Sequence, residues 1–158
     1  MSARSAVLEV RSAAFTDGSE VPPQYACDGS DISPPLTWSR PPPGTKSQSL
    51  IMDDPDAPMG VFTHWVLFSI PAGVTSLRED LPKTETVPGV GLQGSNDFGG
   101  VGYGGPCPPW GKLHHYAFTV RALDTEPSLA AGCRKEELVR AMKGHVIAEG
   151  KLTGTYKR

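Results

Sequence analysis

Cysteine is scarce in this chain, and its spacing is not that of a metal site. The 158 residues contain three cysteines, Cys27, Cys107 and Cys133, with no Cys-x-x-Cys pair. Thiolate zinc sites typically contain cysteines at short spacings such as Cys-x-x-Cys, and disulfide frameworks use even numbers of cysteines. An odd number at wide spacing therefore argues against a metal site built on thiolates. The simplest expectation is that all three are reduced, as in a cytoplasmic protein.

Long apolar runs and an excess of one charge are also missing. Residues 1–10 hold no apolar core long enough for a signal peptide, and no stretch approaches the length that crosses a bilayer. The 15 basic and 17 acidic residues form no basic run, which argues against nucleic acid or an anionic membrane surface as the main partner. We expect one domain over residues 1–158, located in the cytoplasm and not integral to a membrane.

Glycine and proline, in contrast, are abundant. The chain has 18 glycines and 16 prolines, spread without a period. Together they make up about a fifth of the residues, against roughly 12% in an average protein. This composition predicts a globular domain rich in loops, and loops held by a rigid scaffold are where binding sites usually lie.

Residues 53–65 place three carboxylates, two prolines and His64 between two apolar stretches. The flanking residues 49–53 and 64–70 predict strands, and the second is apolar on both faces, as in a central strand covered on both sides. Prolines stiffen the turn, so its carboxylates are aimed rather than mobile. The alternative is an ordinary hairpin tip with solvated acids. His64 lies at the edge of a buried region, where its charge depends on its neighbours.

A second loop, residues 94–111, contains seven glycines and three prolines. Glycine lets a backbone approach a ligand closely and point its amides at it. The prolines and aromatic residues argue against a flexible linker. No Gly-x-x-x-x-Gly-Lys-Ser/Thr motif is present, so this loop is not a nucleotide-binding P-loop.

The clearest strand pattern follows at residues 113–124. Alternation places His114 and Tyr116 on an inward, apolar face, whereas His115 points to the opposite, solvated face. Two adjacent histidines on a strand therefore cannot ligate one metal ion together.

The remaining pattern predicts peripheral strands and one helix. Short strands are expected over residues 6–15, 36–38 and 151–156, with Trp38 packed in the core. Apolar residues at helical spacing predict a C-terminal helix over residues 134–149.

This helix has a weak start and an internal defect. Cys133 stands where Ser or Thr would cap, with Glu136 three residues on. Gly144 inside the helix costs about 1 kcal/mol relative to Ala. His145 reads as a structural residue, and Gly150 as the C-terminal stop.

Five motifs, in register over about residues 15–156, resemble the phosphatidylethanolamine-binding protein family, also called Raf kinase inhibitor-like proteins, and above all its compact bacterial branch. They are Cys27-Asp28-Gly29 with Ser33-Pro34-Pro35-Leu36-Thr37-Trp38, Asp54-Pro55-Asp56-Ala57-Pro58 with His64-Trp65, Gly102-Tyr103-Gly104-Gly105-Pro106-Cys107-Pro108-Pro109, His114-His115-Tyr116 with Ala122-Leu123-Asp124, and Gly144-His145-Val146 with Gly154-Thr155-Tyr156.

The resemblance implies a fold and a site. The fold is mainly β with a C-terminal helix: a β-sandwich with a large central antiparallel sheet and a smaller sheet. The site is a small pocket for phosphate, phosphoethanolamine, acetate or similar anions. Carried over by motif, its residues are Asp54, Asp56, His64, Gly105, Pro106, Pro108, Pro109, His114 and Tyr116.

The chain departs from the family pattern at two positions. His115 stands where the family usually has Arg; because this side chain faces outward, we expect the pocket to survive and the outer contact of that Arg to be lost. Cys133 at the helix start affects local stability rather than binding.

A pocket with two carboxylates repels anions unless a positive group compensates. We expect Asp54 or Asp56 to hold a proton on His64 or His114, because a carboxylate partner raises the pKa of an imidazole. Amides of residues 102–105 and the Tyr116 hydroxyl would add neutral donors.

Three functions compete. The first is a module that binds phosphorylated or other anionic groups, without a cofactor or metal, and regulates a kinase or protease; a homodimer is compatible with the bacterial branch. The second is an enzyme in which His64, His114 and a carboxylate bind a metal or act as an acid–base pair, with Cys107 as a reactive thiol in the pocket loop. The third is a protease inhibitor that inserts a loop or terminus. The first is favoured, because counts of imidazoles and carboxylates are weak indications of catalysis.

Overall fold

Two β-sheets build the protein in the computed structural model, which describes residues 6–158. The ten strands are β1 (Ala6–Val7), β2 (Val10–Arg11), β3 (Leu36–Trp38), β4 (Ser47–Asp54), β5 (Phe62–Ile70), β6 (Ser76–Leu77), β7 (Thr86–Val87), β8 (Gly91–Gln93), β9 (Leu113–Leu123) and β10 (Val146–Lys157). One helix, α1 (Lys135–Met142), and a 3-10 turn at Pro23–Tyr25 complete the described elements. The prediction of a mainly β chain with one C-terminal helix is confirmed.

The large sheet has seven strands in the order β1-β10-β9-β4-β5-β8-β7, and the small sheet has the order β2-β3-β6. The four long strands β4, β5, β9 and β10 pair antiparallel, while the two-residue strand β1 joins β10 in parallel. The large sheet is therefore mixed, with an antiparallel centre. The strand expected over residues 6–15 is divided between the two sheets as β1 and β2.

Apolar side chains cover both faces of the large sheet. On one face Leu50 and Trp65 pack in a cluster with Trp38 of the small sheet. On the other face Val66 and Phe68 pack with Leu138 of α1. This confirms that β5 is a central strand buried on both sides, and that Trp38 belongs to the core.

Two buried glutamines tie loops to this core. Trp38 Nε1 donates to Gln48 Oε1 at 2.8 Å, and Trp65 Nε1 donates to Gln93 Oε1 at 2.7 Å. The amide nitrogen of Gln93 in turn donates to two loop carbonyls between β6 and β7. Each indole N–H is thus satisfied inside the core, as burial requires.

The helix is shorter than its pattern predicted, and this prediction was wrong beyond Met142. Gly144 adopts a φ of +82° after the helix ends, and Val146 begins β10, paired with Leu123. His145 lies in the turn before β10, with Nδ1 2.7 Å from Asp124 Oδ1. Because Val146 and Ile147 fit either period, pairing with the long strand β9 decided their conformation.

Both predicted ends of the helix were also misplaced. Its N-terminus is one residue later than Cys133: Arg134 is the N-cap, and its backbone N–H donates to the Glu137 carboxylate at 3.1 Å. Gly150, expected as the stop, lies inside β10 instead.

The expectation of three reduced cysteines is wrong for one pair. Cys27 and Cys107, 80 residues apart in the sequence, form a disulfide, and Cys133 is free and buried. The cytoplasmic expectation rested on reduced cysteines and loses that support. Among residues 6–158, no helix has the length and apolar character of a membrane span. The prediction of no signal peptide rested partly on residues 1–5, which lie outside the described residues.

Replacing both disulfide partners, Cys27→Ser with Cys107→Ser, is expected to lower the free energy of unfolding by about 2–4 kcal/mol, because the bond closes a long loop in the unfolded chain. Urea denaturation measures the loss. A dithiol should destabilise the native chain by a similar amount and leave the double variant unchanged. A double variant as stable as the native protein would contradict the prediction.

Gly150→Ala is expected to cost about 1–3 kcal/mol of stability through overpacking. A Cβ atom at Gly150 would overlap the backbone of Leu8, where the chain crosses β10. Gly73→Ala is the matched control, since nothing lies within 4 Å of its Cβ position. Thermal unfolding of both variants tests this. Equal changes in the unfolding temperature of Gly150→Ala and Gly73→Ala would contradict overpacking at Gly150.

Candidate functional site

The ends of three neighbouring strands meet at one edge of the large sheet. Asp54 is the last residue of β4, His64 lies near the start of β5, and His114 and Tyr116 open β9. Antiparallel pairing of β4 with both neighbours brings these positions together. They enclose a cavity of about 200 Å³, lined by Asp54, Ala57, Pro58, Phe62, His64, Phe98, Cys107, Pro108, Pro109, His114 and Tyr116.

The cavity includes six of the nine residues predicted for the site. Asp56, Gly105 and Pro106 are outside its lining, and the apolar residues Phe62 and Phe98 were not foreseen. Phe62 could have been found, because it shares a strand face with His64 two residues on. No sequence pattern indicated Phe98, which lies in the loop of residues 94–111.

A buried pair joins Asp54 to His114. His114 Nδ1 lies 2.6 Å from Asp54 Oδ2, and the two residues are 1% and 3% exposed. A carboxylate accepts, so Nδ1–H is the donor and the ring orientation is set. The other carboxylate oxygen accepts the Asp56 backbone N–H at 2.8 Å. His114 Nε2 is left buried without a hydrogen-bond partner within the described structure.

The Tyr116 hydroxyl is a second buried polar group that has no hydrogen-bond partner among residues 6–158. Burial, followed by the negative charge of Asp54, raises the pKa of Tyr116 far above its ordinary value. The phenol therefore stays neutral and is available as a hydrogen-bond donor.

The hydrogen-bond partner of His64 is a backbone carbonyl, whereas the sequence allowed a carboxylate partner for either His64 or His114. Its Nδ1 lies 2.7 Å from the carbonyl oxygen of Gly104, so Nδ1–H donates to the backbone and not to a carboxylate. Burial lowers the pKa of His64, which favours the neutral ring. The ring packs edge-on against Phe62, Phe98 and Tyr116, with centroid distances of 5.0–5.2 Å. His64 is therefore not the positively charged group of the cavity.

Asp56 pairs outside the cavity. Its Oδ2 accepts the backbone N–H of His115 at 2.8 Å and lies 2.7 Å from His115 Nδ1. The hydrogen bond with the His115 side chain lowers the pKa of Asp56. The outward orientation of His115 is confirmed. Its imidazole, which is shorter than the Arg side chain usual at this position in the family, contacts Asp56 in the turn after β4. Of the two carboxylates expected to orient a cavity imidazole, Asp54 is therefore the one that does so, with His114, while Asp56 is paired with His115.

The amides of the glycine loop are also used internally. Gly104 N donates to the His64 carbonyl at 3.0 Å, and Gly105 N donates to Asp31 Oδ1 at 2.7 Å. A Cβ atom at Gly105 would overlap the Tyr25 carbonyl, so glycine is required there by packing. The prediction that the amides of residues 102–105 donate to a ligand is therefore wrong for Gly104 and Gly105.

The described residues form a second, larger groove but no cluster suited to a metal ion. Among the described residues, no group of three or more His, Cys, Asp or Glu side chains is arranged to hold a metal ion. A larger groove of about 930 Å³ runs between residues 40–45 and 72–75. Arg40 is the ionisable residue in its lining, and no unpaired buried polar atom faces it. The chemistry is therefore concentrated in the smaller cavity.

The sequence profile of the phosphatidylethanolamine-binding protein family matches residues 11–157. Similar proteins include a UPF0098 protein of Aquifex aeolicus, 50% identical over 99% of this chain and 92% of that protein. A UPF0098 protein of Methanothermobacter thermautotrophicus is 48% identical over 96% of this chain and 99% of its own length.

Two crystal structures share the fold. A homolog of phosphatidylethanolamine-binding protein from Chlamydia trachomatis superposes with a TM-score of 0.87 at 38% identity, covering 98% of this chain and 99% of its own. YbcL of E. coli, described as a member of the mammalian family, also gives 0.87, at 36% identity over 96% of this chain and 98% of its own. The chain therefore belongs to the phosphatidylethanolamine-binding protein family.

Proposed function

We propose that the chain is a binding protein whose cavity takes one small anion, such as phosphate or the phosphate end of phosphoethanolamine. The observation that supports this most is the pair of partnerless buried atoms, His114 Nε2 and Tyr116 Oη, which line the same cavity. Leaving a buried polar group unsatisfied costs about 1–3 kcal/mol. A bound oxyanion would supply acceptors to both.

The size of the cavity supports a small ligand. At about 200 Å³ it lies below the 300–1,000 Å³ of drug-sized pockets. Five of its eleven lining residues are proline or phenylalanine, and such apolar walls strengthen a hydrogen bond made inside. The polar groups at its base therefore match the oxygens of a single anionic group.

Charge balance assigns the central role to His114. The Asp54 carboxylate alone would repel an anion, but a proton on His114 makes the pair neutral and turns Nε2 into a second donor. The neutral His64 ring and the Tyr116 hydroxyl add no negative charge. Donation from Nε2 to an anion thus requires a proton on each ring nitrogen of His114, since Nδ1 faces the Asp54 carboxylate.

Binding is favoured over catalysis by the residues of the lining. It contains no serine, threonine or lysine, and the sulfur of Cys107 is in a disulfide. The lining therefore offers no hydroxyl of serine or threonine, no amine and no free thiol as a nucleophile, although the Asp54–His114 pair alone could act as a general base. Regulation of a kinase or protease would proceed through a phosphorylated group on that partner, as the family resemblance implies.

His114→Ala is expected to weaken phosphate binding about tenfold, or about 1.4 kcal/mol, because it removes a donor from the cavity. Isothermal titration calorimetry with inorganic phosphate measures the change. His145→Ala is the matched control: it breaks a histidine–aspartate hydrogen bond of 2.7 Å at the other end of β9. Equal affinities in all three proteins would refute the assignment of the site.

A further inference from the structure

The wall of the cavity includes half of the disulfide. Cys107 lines the cavity directly, and its partner Cys27 lies in the loop after the 3-10 turn. We call residues 106–110 the rim segment, because Pro108 and Pro109 of this segment also form part of the wall. The position of the rim segment therefore determines the shape of the cavity.

Hydrogen bonds secure the chain that enters the rim segment. Tyr103 Oη donates to the Tyr25 carbonyl at 2.7 Å, and the backbone N–H of Cys27 donates to the Pro106 carbonyl at 3.0 Å. Both bonds join the glycine loop to residues 25–27, so this end is fixed independently of the disulfide.

Arg158 secures the far end. Its Nε donates to the Pro108 carbonyl at 2.8 Å, and its guanidinium lies over the Trp110 ring at 4.8 Å from the centroid. Its backbone carbonyl also accepts the N–H of Gly111 at 2.8 Å.

Between these two ends the backbone offers few further contacts. Pro106, Pro108 and Pro109 have no N–H groups, so they cannot donate backbone hydrogen bonds to the domain. The disulfide is the covalent attachment at the middle of the rim segment. Without it, the rim segment is held by the hydrogen bond from Cys27 to the Pro106 carbonyl at one end and by the Arg158 contacts toward the other.

We propose that the Cys27–Cys107 disulfide positions the rim segment, and that its reduction by a dithiol weakens anion binding in the cavity. This inference rests on the proposed function. Both cysteines are partly exposed, so a reductant can reach them. One thiolate of the dithiol attacks a sulfur of the Cys27–Cys107 bond, which breaks that bond, forms a mixed disulfide and releases the other cysteine as a thiolate. The second thiolate of the dithiol then attacks the dithiol sulfur of the mixed disulfide and releases the remaining cysteine. Two electrons and two protons pass to Cys27 and Cys107, and the dithiol becomes a cyclic disulfide.

Reduction acts on affinity through the position of the rim segment. Without the disulfide this segment becomes free to move away from the cavity, so the donors at the base of the cavity are less shielded from water.

The test is a titration of inorganic phosphate into the folded chain before and after treatment with dithiothreitol. We expect about fivefold weaker binding or more after reduction, the range of an ordinary coupling between sites. Reoxidation should restore the affinity. Cys27→Ser with Cys107→Ser should bind like the reduced chain and ignore the dithiol, whereas Cys133→Ser should respond like the native chain.

The outcomes separate the two proposals. If the oxidised chain binds no phosphate, the proposed function fails. If oxidised and reduced chains bind equally, the proposed function stands and this inference is overturned. Circular dichroism checks that the reduced chain is folded at the temperature of the titration.

If the reduced chain is unfolded there, both titrations are repeated at a lower temperature in sucrose, which is excluded from the protein surface and favours the folded state. Weaker phosphate binding by the folded reduced chain than by the oxidised chain would support positioning by the disulfide, and equal binding would overturn it.

Discussion

The buried hydrogen bond between Asp54 and His114 is the interaction on which the site depends. A carboxylate that is 3% exposed needs partners, and this one has the imidazole on one oxygen and the Asp56 amide on the other. The bond directs Nε2 of His114 away from the carboxylate and into the cavity. Its geometry comes from β4 and β9, which are paired over seven positions from Ser47 to Asp53.

The side chains around the Asp54–His114 hydrogen bond are neutral and largely apolar. Phe62, Phe98 and Tyr116 pack around His64, so the second imidazole is a neutral wall rather than a second charge. Its proton is used on the Gly104 carbonyl, which anchors the glycine loop to β5. The cavity thus has one ionisable pair at its base and an apolar enclosure above it. Such a low-polarity enclosure strengthens a hydrogen bond to an anion and makes an unpaired donor costly.

Acid side chains at similar places in the sequence have different roles. Asp53 forms an ion pair with Lys135 of α1 at 2.8 Å, Asp54 holds His114, and Asp56 holds His115. Strand alternation explains why Asp53 and Asp54 separate, since successive side chains point to opposite faces of the sheet. Asp56 lies beyond the strand, and its direction comes from the turn that follows β4.

Local pattern was sufficient for the central strands and for the inward directions of His114 and Tyr116, because alternation along a strand is a property of the backbone. The resemblance to a family added the architecture and the proximity of the site residues.

Other features required contacts between distant parts of the chain. The end of α1 at Met142 depended on the pairing of Val146 with β9, which overrode a helical pattern. The internal use of the glycine amides depended on Asp31 and His64, and the disulfide depended on residues 80 positions apart. The sequence by itself determined which side chains face the core, since period and polarity are local. Only the tertiary structure decided which polar groups are paired and which are left for a ligand, because that depends on neighbours brought together by folding.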